Sequence, residues 1–100
     1  MIARTWHGKV PRAKGDAYYT YLQQTGLADY QHTPGNRGVQ VLRRDEADYT
    51  HFLLITLWDS VEALQAFAGA DYQTARYYPE DAAFLVEFEP VYHYEVLVRE

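Results

Sequence analysis

The chain has no cysteine among its 100 residues. A disulfide framework, a thiolate nucleophile and a zinc–cysteine site are therefore excluded. It has no hydrophobic run approaching the roughly 20 residues of a membrane span. Met1-Ile2-Ala3-Arg4-Thr5-Trp6-His7 lacks the apolar stretch of a signal peptide. The expectation is a cytoplasmic protein with no membrane partner. Positive charge is also scarce. Nine Lys and Arg stand against fourteen Asp and Glu, a net charge of -5. A nucleic-acid partner would want a basic patch, and Arg43-Arg44 is at once neutralised by Asp45-Glu46. No internal repeat or low-complexity segment is visible. Histidines at 7, 32, 51 and 93 have no ligand spacing, so no metal site is expected. Gly35-Asn36-Arg37-Gly38 lacks the lysine and following helix of a phosphate loop, and turn chemistry accounts for its glycines.

What is present suits one globular domain over residues 1–100: 48% hydrophobic residues, 23% charged and ten tyrosines. Tyrosine joins a large apolar ring to a hydroxyl, which fits partly wet pockets and interfaces. The most informative stretch is Phe52-Leu53-Leu54-Ile55-Thr56-Leu57-Trp58. Read as a strand, it places Phe52, Leu54, Thr56 and Trp58 on one face and Leu53, Ile55 and Leu57 on the other. Helices of the same chain can cover one apolar face. The other needs a second cover, and a second copy of the chain is the simplest.

The order of elements follows from pattern. Ile2 to Val10 reads as a strand stopped by Pro11. Ala13 to about Gln31 reads as one long helix, loosened by Gly26, with Tyr18, Tyr21, Leu22 and Thr25 on one face. Gly38 to Arg44 and Tyr49 to Trp58 form a hairpin across a polar turn. Asp59 or Ser60 caps a helix whose apolar face is Val61, Leu64, Phe67 and Ala68, and Gly69 ends it. Asp71 to Tyr77 reads as a further short helix ended by Pro79. A last strand runs from Val91 to Val98, long enough to reach a partner. The result is an α+β, ferredoxin-like βαββαβ fold: an antiparallel sheet with helices on one face.

Leu57-Trp58-Asp59-Ser60 opening the Ala-Leu-rich helix Val61-Glu62-Ala63-Leu64 resembles the antibiotic biosynthesis monooxygenase family. The resemblance covers nearly the whole chain. It implies two sheets packing into a dimeric α+β barrel, with a helix–sheet pocket in each subunit. Some members of that family oxidise polycyclic aromatic compounds with dioxygen and no bound cofactor. Others degrade haem, and others are isomerases, so membership does not fix the reaction. The haem-degrading members use an Asn-Trp-His set. Phe67 stands where their tryptophan would be, and Tyr77 or Arg76 where the haem-ligating histidine would be. No asparagine lies in the first strand. Haem degradation is disfavoured, and no cofactor is expected.

Two residues are candidates for catalysis. His93 lies mid-strand in Tyr92-His93-Tyr94 and would titrate near neutral pH, as general acid–base work requires. Its plainer reading is a histidine satisfied by a backbone or tyrosine partner at the dimer interface. Arg4 is a planar multi-donor cation able to hold a substrate oxyanion. Its plainer reading is an ion pair with Glu95 or Glu87. Trp6, Trp58, Phe67, Arg76, Tyr77 and Tyr78 are candidates for substrate binding, the last three as a lid over the pocket or as a packed loop. His32 and His51 read as surface residues. The expected protein is a homodimer that oxidises an aromatic or hydrophobic small molecule without a cofactor. The alternatives are a binding or stress-related module that holds such a ligand unchanged, and a structural dimer with a filled core.

Overall fold

Alternation carries the architecture. In the third strand every second side chain is buried, from Thr50 through Trp58. In the first strand Arg4, Trp6, Gly8 and Val10 are buried between half-buried neighbours. A computed structural model describes residues 1–75, 77–87 and 89–99. Its strands are β1 (Ile2–Pro11), β2 (Asn36–Asp45), β3 (Tyr49–Trp58) and β4 (Tyr92–Glu95). They pair antiparallel in the order β2-β3-β1-β4. Helices α1 (Gly15–Gln24), α2 (Gly26–His32), α3 (Val61–Ala68) and α4 (Asp81–Phe84) complete the ferredoxin-like α+β plan. No helix of the described residues is long and apolar enough to cross a membrane.

The helix-covered face holds the core. Trp58, Tyr18, Phe52 and Leu64 are fully buried there, and Tyr30, Trp58 and Phe67 form one aromatic cluster with centroids 4.5–6.2 Å apart. The other face carries Leu53, Ile55 and Leu57, half-buried, flanked by Leu42 (45% exposed), Tyr92 (57%) and Tyr94 (56%). The two-sided apolar character of β3 is therefore real, and one side stays open in the single chain.

Three elements depart from expectation. The long helix divides at Thr25, whose φ of -119° and ψ of -98° leave the helical region. Its hydroxyl bonds back to the Tyr21 carbonyl at 2.8 Å, and Gly26 begins a separate helix. The helix expected over Asp71 to Tyr77 is absent from the described part of that stretch; Arg76 lies outside the described residues. Two of its carbonyls, those of Tyr72 and Thr74, are drawn to Arg4 instead. The short helix forms after Pro79, over Asp81–Phe84. The last strand ends at Glu95 because Glu95 already pairs with Ile2, the start of β1. Beyond it, Leu97 and Val98 are exposed and belong to no strand. The α3 boundaries follow the sequence: the Ala63 N–H donates to Ser60 Oγ at 3.1 Å, and Gly69 closes the helix at φ 85°.

Candidate functional site

Arg4 and Trp6 share the helix-facing side of β1. Trp6 folds over Gly8, where a Cβ would lie 2.3 Å from the ring. The Trp6 ring stacks on Tyr18 of α1 at 6.4 Å and 29°. The Tyr18 hydroxyl donates to Asp81 Oδ1 at 2.9 Å, and the Tyr78 N–H donates to Asp81 Oδ2 at 2.6 Å. Burial, then the neighbouring Asp81 charge, push the Tyr18 phenol far above its ordinary range, so it stays protonated. These groups enclose a cavity of about 20 Å³ between helices and sheet. That is room for one water molecule. Arg4, Trp6, Tyr18, Tyr30, Tyr78 and Asp81 wall it, and Leu22, Leu54 and Gly26 complete the lining.

Arg4 is only 2% exposed. Its Nη1 donates to the Tyr72 carbonyl at 2.6 Å and its Nη2 to the Thr74 carbonyl at 3.3 Å, while its Nε has no partner. Among the described residues no carboxylate pairs with it. The ion pairs considered for it are not formed: Glu87 pairs with Lys9 at 3.6 Å, and Glu95 lies across from Ile2 at the strand end. Burial lowers the Arg4 pKa from its ordinary value, but a guanidinium starts so high that it stays charged.

His93 is paired with Arg4 in the β1–β4 register, so both sit on the helix side and not on the open face. Its Nε2 lies 3.4 Å from Arg4 Nη1, a long contact, and its ring meets Tyr72 edge-on at 5.1 Å. Burial, then the Arg4 charge, lower its pKa below the ordinary 6.5. The ring is neutral at pH 7, with Nε2 able to accept a proton. His93 stands beside Arg4 rather than in the cavity wall.

The other expected site residues fall into three places. Trp6 and Tyr78 line the cavity. Trp58 and Phe67 pack behind it against Tyr30, and Trp58 Nε1 donates to Thr56 Oγ1 at 2.9 Å. The Tyr77 hydroxyl donates to the Glu89 carbonyl at 3.0 Å, tying the segment to the approach to β4. Arg76 is outside the described residues.

Sequence reading passed over two groups. Asp81 ends the polar-aromatic segment that reads as a lid or a packed loop, with no role of its own; the fold buries it against Tyr18. His51 read as a surface residue, yet its ring is nearly covered. It stacks on His7 at 5.1 Å, with Nδ1 2.9 Å from His7 Nε2. Glu89 holds the far side of His7, and Glu46 Oε1 lies 3.0 Å from His51 Nε2. Lys9 pairs with His51 and His7 with Leu53, so the two rings become diagonal neighbours on the open face once β1 and β3 pair. Among the described residues no three side chains of metal-ligating type are grouped to hold an ion.

With this geometry in hand, similarity to known proteins is informative. The profile of the antibiotic biosynthesis monooxygenase family matches residues 9–76. No curated protein matches the chain. Several solved structures share the fold. A candidate antibiotic biosynthesis monooxygenase from Bacillus cereus superposes with a TM-score of 0.68 at 14% identity, covering 99% of this chain and 95% of its own. A haem degrader from Mycobacterium tuberculosis, with two haems bound in its active site, superposes with a TM-score of 0.66 at 23% identity, covering 100% and 99%. A candidate antibiotic biosynthesis monooxygenase from Caulobacter crescentus reaches 0.67 at 18% identity, covering 97% and 90%. At these identities the structures establish the fold alone, while the profile match runs through the hairpin, the capped α3 and the segment that meets Arg4. The chain belongs to the antibiotic biosynthesis monooxygenase family.

Proposed function

We propose that the protein is a homodimeric, cofactor-independent oxygenase acting on an electron-rich aromatic or hydrophobic small molecule in the helix–sheet pocket. The observation that carries this reading is Arg4: a buried guanidinium with no described carboxylate partner, walling a cavity, with the His93 ring 3.4 Å away. His93 Nε2, beside Arg4 and outside the cavity wall, takes the proton of an activated C–H through one bridging water. Arg4 holds the oxygen onto which the resulting charge is delocalised. Dioxygen adds to the carbanion. One of its atoms remains as a new carbonyl and the other leaves as water with both hydrogens of the original CH₂, so no outside reductant is needed. Trp6, with Tyr78 on the far wall, presses on the ring of the substrate, and Trp58, Phe67 and Tyr77 hold those walls in place. Haem is left out of the proposal: the described lining has no histidine to ligate iron.

A second reading has its own support. Both Arg4 Nη groups are already occupied by carbonyls, and the cavity has room for about one water. A module that binds a ligand without transforming it needs no more than this. Oxygen uptake over a panel of electron-rich phenols and anthrone-like compounds separates the two. The oxygenase reading expects uptake in wild type and a loss of about 10²-fold or more in His93→Ala. Uptake unchanged by the substitution removes His93 from the mechanism. Binding without uptake across the panel leaves the second reading.

The homodimer belongs to the same proposal. Leu53, Ile55 and Leu57 on the central strand, with Leu42, Tyr92 and Tyr94 around them, form an apolar face of a kind that single chains rarely leave in water. Two such sheets packed across a two-fold axis cover each other.

A further inference from the structure

On the open face of the sheet a polar cluster abuts the apolar residues. His7 stands across from Leu53 in the β1–β3 register, and both His7 and His51 line a hollow with Leu42 and Leu53. A carboxylate can only accept, so the Glu89 contact fixes a hydrogen on His7 Nδ1 and leaves His7 Nε2 bare. That nitrogen accepts from His51 Nδ1 at 2.9 Å. The remaining nitrogen, His51 Nε2, lies 3.0 Å from Glu46 Oε1. Two neutral rings have no hydrogen left for that place, and a lone pair there faces an anion. One added proton fills it. A second proton has only His7 Nε2 to occupy, where it meets the His51 Nδ1–H head-on. The ring contact then breaks and two like charges stand side by side.

The surroundings match one proton better than two. From β1 and the segment before β4 come Lys9 and Glu87, paired at 3.6 Å, and Glu89 on His7. From β2 and its turn come Arg44, opposite His51 in the register, and Glu46, which pairs with it. Tyr49 of β3 lies under the Lys9 ammonium, and Tyr92 of β4 stands across from Thr5. Arg44 holds the Glu46 carboxyl below its usual range, so it stays ionised. Two cations, Lys9 and Arg44, thus face three carboxylates. One proton on the histidine pair balances the group, and a second leaves it with excess positive charge. We infer that the His7–His51 pair is a pH gate on self-association: the sheets of two copies close over it while it holds at most one proton, and part when both rings are charged. The inference rests on the homodimer reading and adds its control. Each copy brings one pair, so acidification loads the covered face with charge from both sides, where unbalanced charge is costly to keep from water.

Sedimentation equilibrium of the intact protein at about pH 7.5 and about pH 5.5, at one ionic strength, tests this. Wild type is expected to be dimeric at the higher pH, with a dimer dissociation constant about tenfold or more larger at the lower. Circular dichroism is expected to show the same fold at both. His7→Gln combined with His51→Gln is expected to remain a dimer whose dissociation constant changes less than about threefold across the interval. A double variant that keeps the wild-type dependence overturns the inference. So does a wild-type dimer indifferent to pH, which leaves the homodimer standing. A monomer at both values removes the homodimer and the gate with it. If the double variant does not fold, the imidazole proton signals of wild type decide. Two rings that share one proton take up their protons in two separate steps, and dissociation is expected to follow the second. Dissociation that follows the first step, or rings that titrate independently, overturn the inference.

Discussion

Arg4 and Gly8 share one strand face on either side of Trp6, and each constrains the site in its own way. Taking a guanidinium out of water costs several kcal/mol unless its donors are met. Two carbonyls and an imidazole meet part of that demand, which is why Arg4 organises the segment after α3 as well as walling the cavity. Gly8 meets a steric need. A methyl group there would lie 2.3 Å from Trp6 and 3.0 Å from Leu85. Gly8→Ala must therefore drive the Trp6 ring off its seat and into the cavity. The expected loss is about 1–3 kcal/mol of stability, read as a fall in Tm of roughly 5–15 °C with a changed near-ultraviolet tryptophan signal. An unchanged melt would show that Trp6 has slack the packing does not suggest.

His93 supplies a pH dependence at the same scale. Its pKa in the fold lies below the ordinary 6.5, so the unfolded chain binds its proton first as pH falls. Its contribution is fully present above pH 6.5 and is lost progressively as pH drops from there toward the folded pKa. His93→Gln should flatten that part of the stability–pH curve, measured by urea melts between about pH 5 and 7.5. An identical slope in both proteins counts against the neutral, Arg4-facing ring.

At the scale of elements, the break between α1 and α2 matters most for the pocket. Thr25 leaves helical geometry, and Gly26 brings the start of α2 against the cavity. A Cβ at Gly26 would meet Tyr30 at 3.8 Å and Tyr78 at 3.9 Å, ordinary contact distances. Gly26→Ala should therefore stabilise the fold by about 0.5 kcal/mol through reduced chain entropy, while narrowing the cavity. The expected pairing is a slightly higher Tm with weaker ligand binding. A higher Tm with unchanged binding would place the ligand elsewhere. The hairpin is tied independently: Arg37 makes a bidentate pair with Asp59 at 2.6 and 2.9 Å, fastening the start of β2 to the turn into α3. Such an exposed pair contributes register more than stability.

For the whole molecule, the open face of the sheet is the decisive feature. Light scattering at micromolar concentration is expected to give a dimer, and Ile55→Lys a folded monomer, because a buried ammonium at the centre of the interface has no partner. The helix-side core does not include Ile55, so circular dichroism should be retained. A wild-type monomer in dilute solution would sink the dimer. The His7–His51 contact lies on this same face, so its environment changes if the sheets meet.

Much of this was legible from residues alone. Period-two burial in Phe52 to Trp58, the Ser60 cap, the Gly69 stop and the shared face of Arg4 and Trp6 are all local consequences of strand and helix geometry. They do not depend on what lies far away in the chain. The departures share one cause. The helix expected around Asp71, the reach of the last strand, the burial of Asp81 and the covering of His51 each depend on partners dozens of positions distant. Arg4 takes carbonyls from Tyr72 and Thr74; β1 runs out at Ile2; Tyr18 holds Asp81; His7 meets His51 across a strand pair. Local propensity is a weak force against a buried charge or an exhausted strand edge. The order of elements along the chain and the two-faced character of β3 thus came from sequence periodicity, whereas the contents of the pocket were set by long-range pairing, which alone brings Arg4 of β1 and Asp81 of α4 into the lining of one cavity.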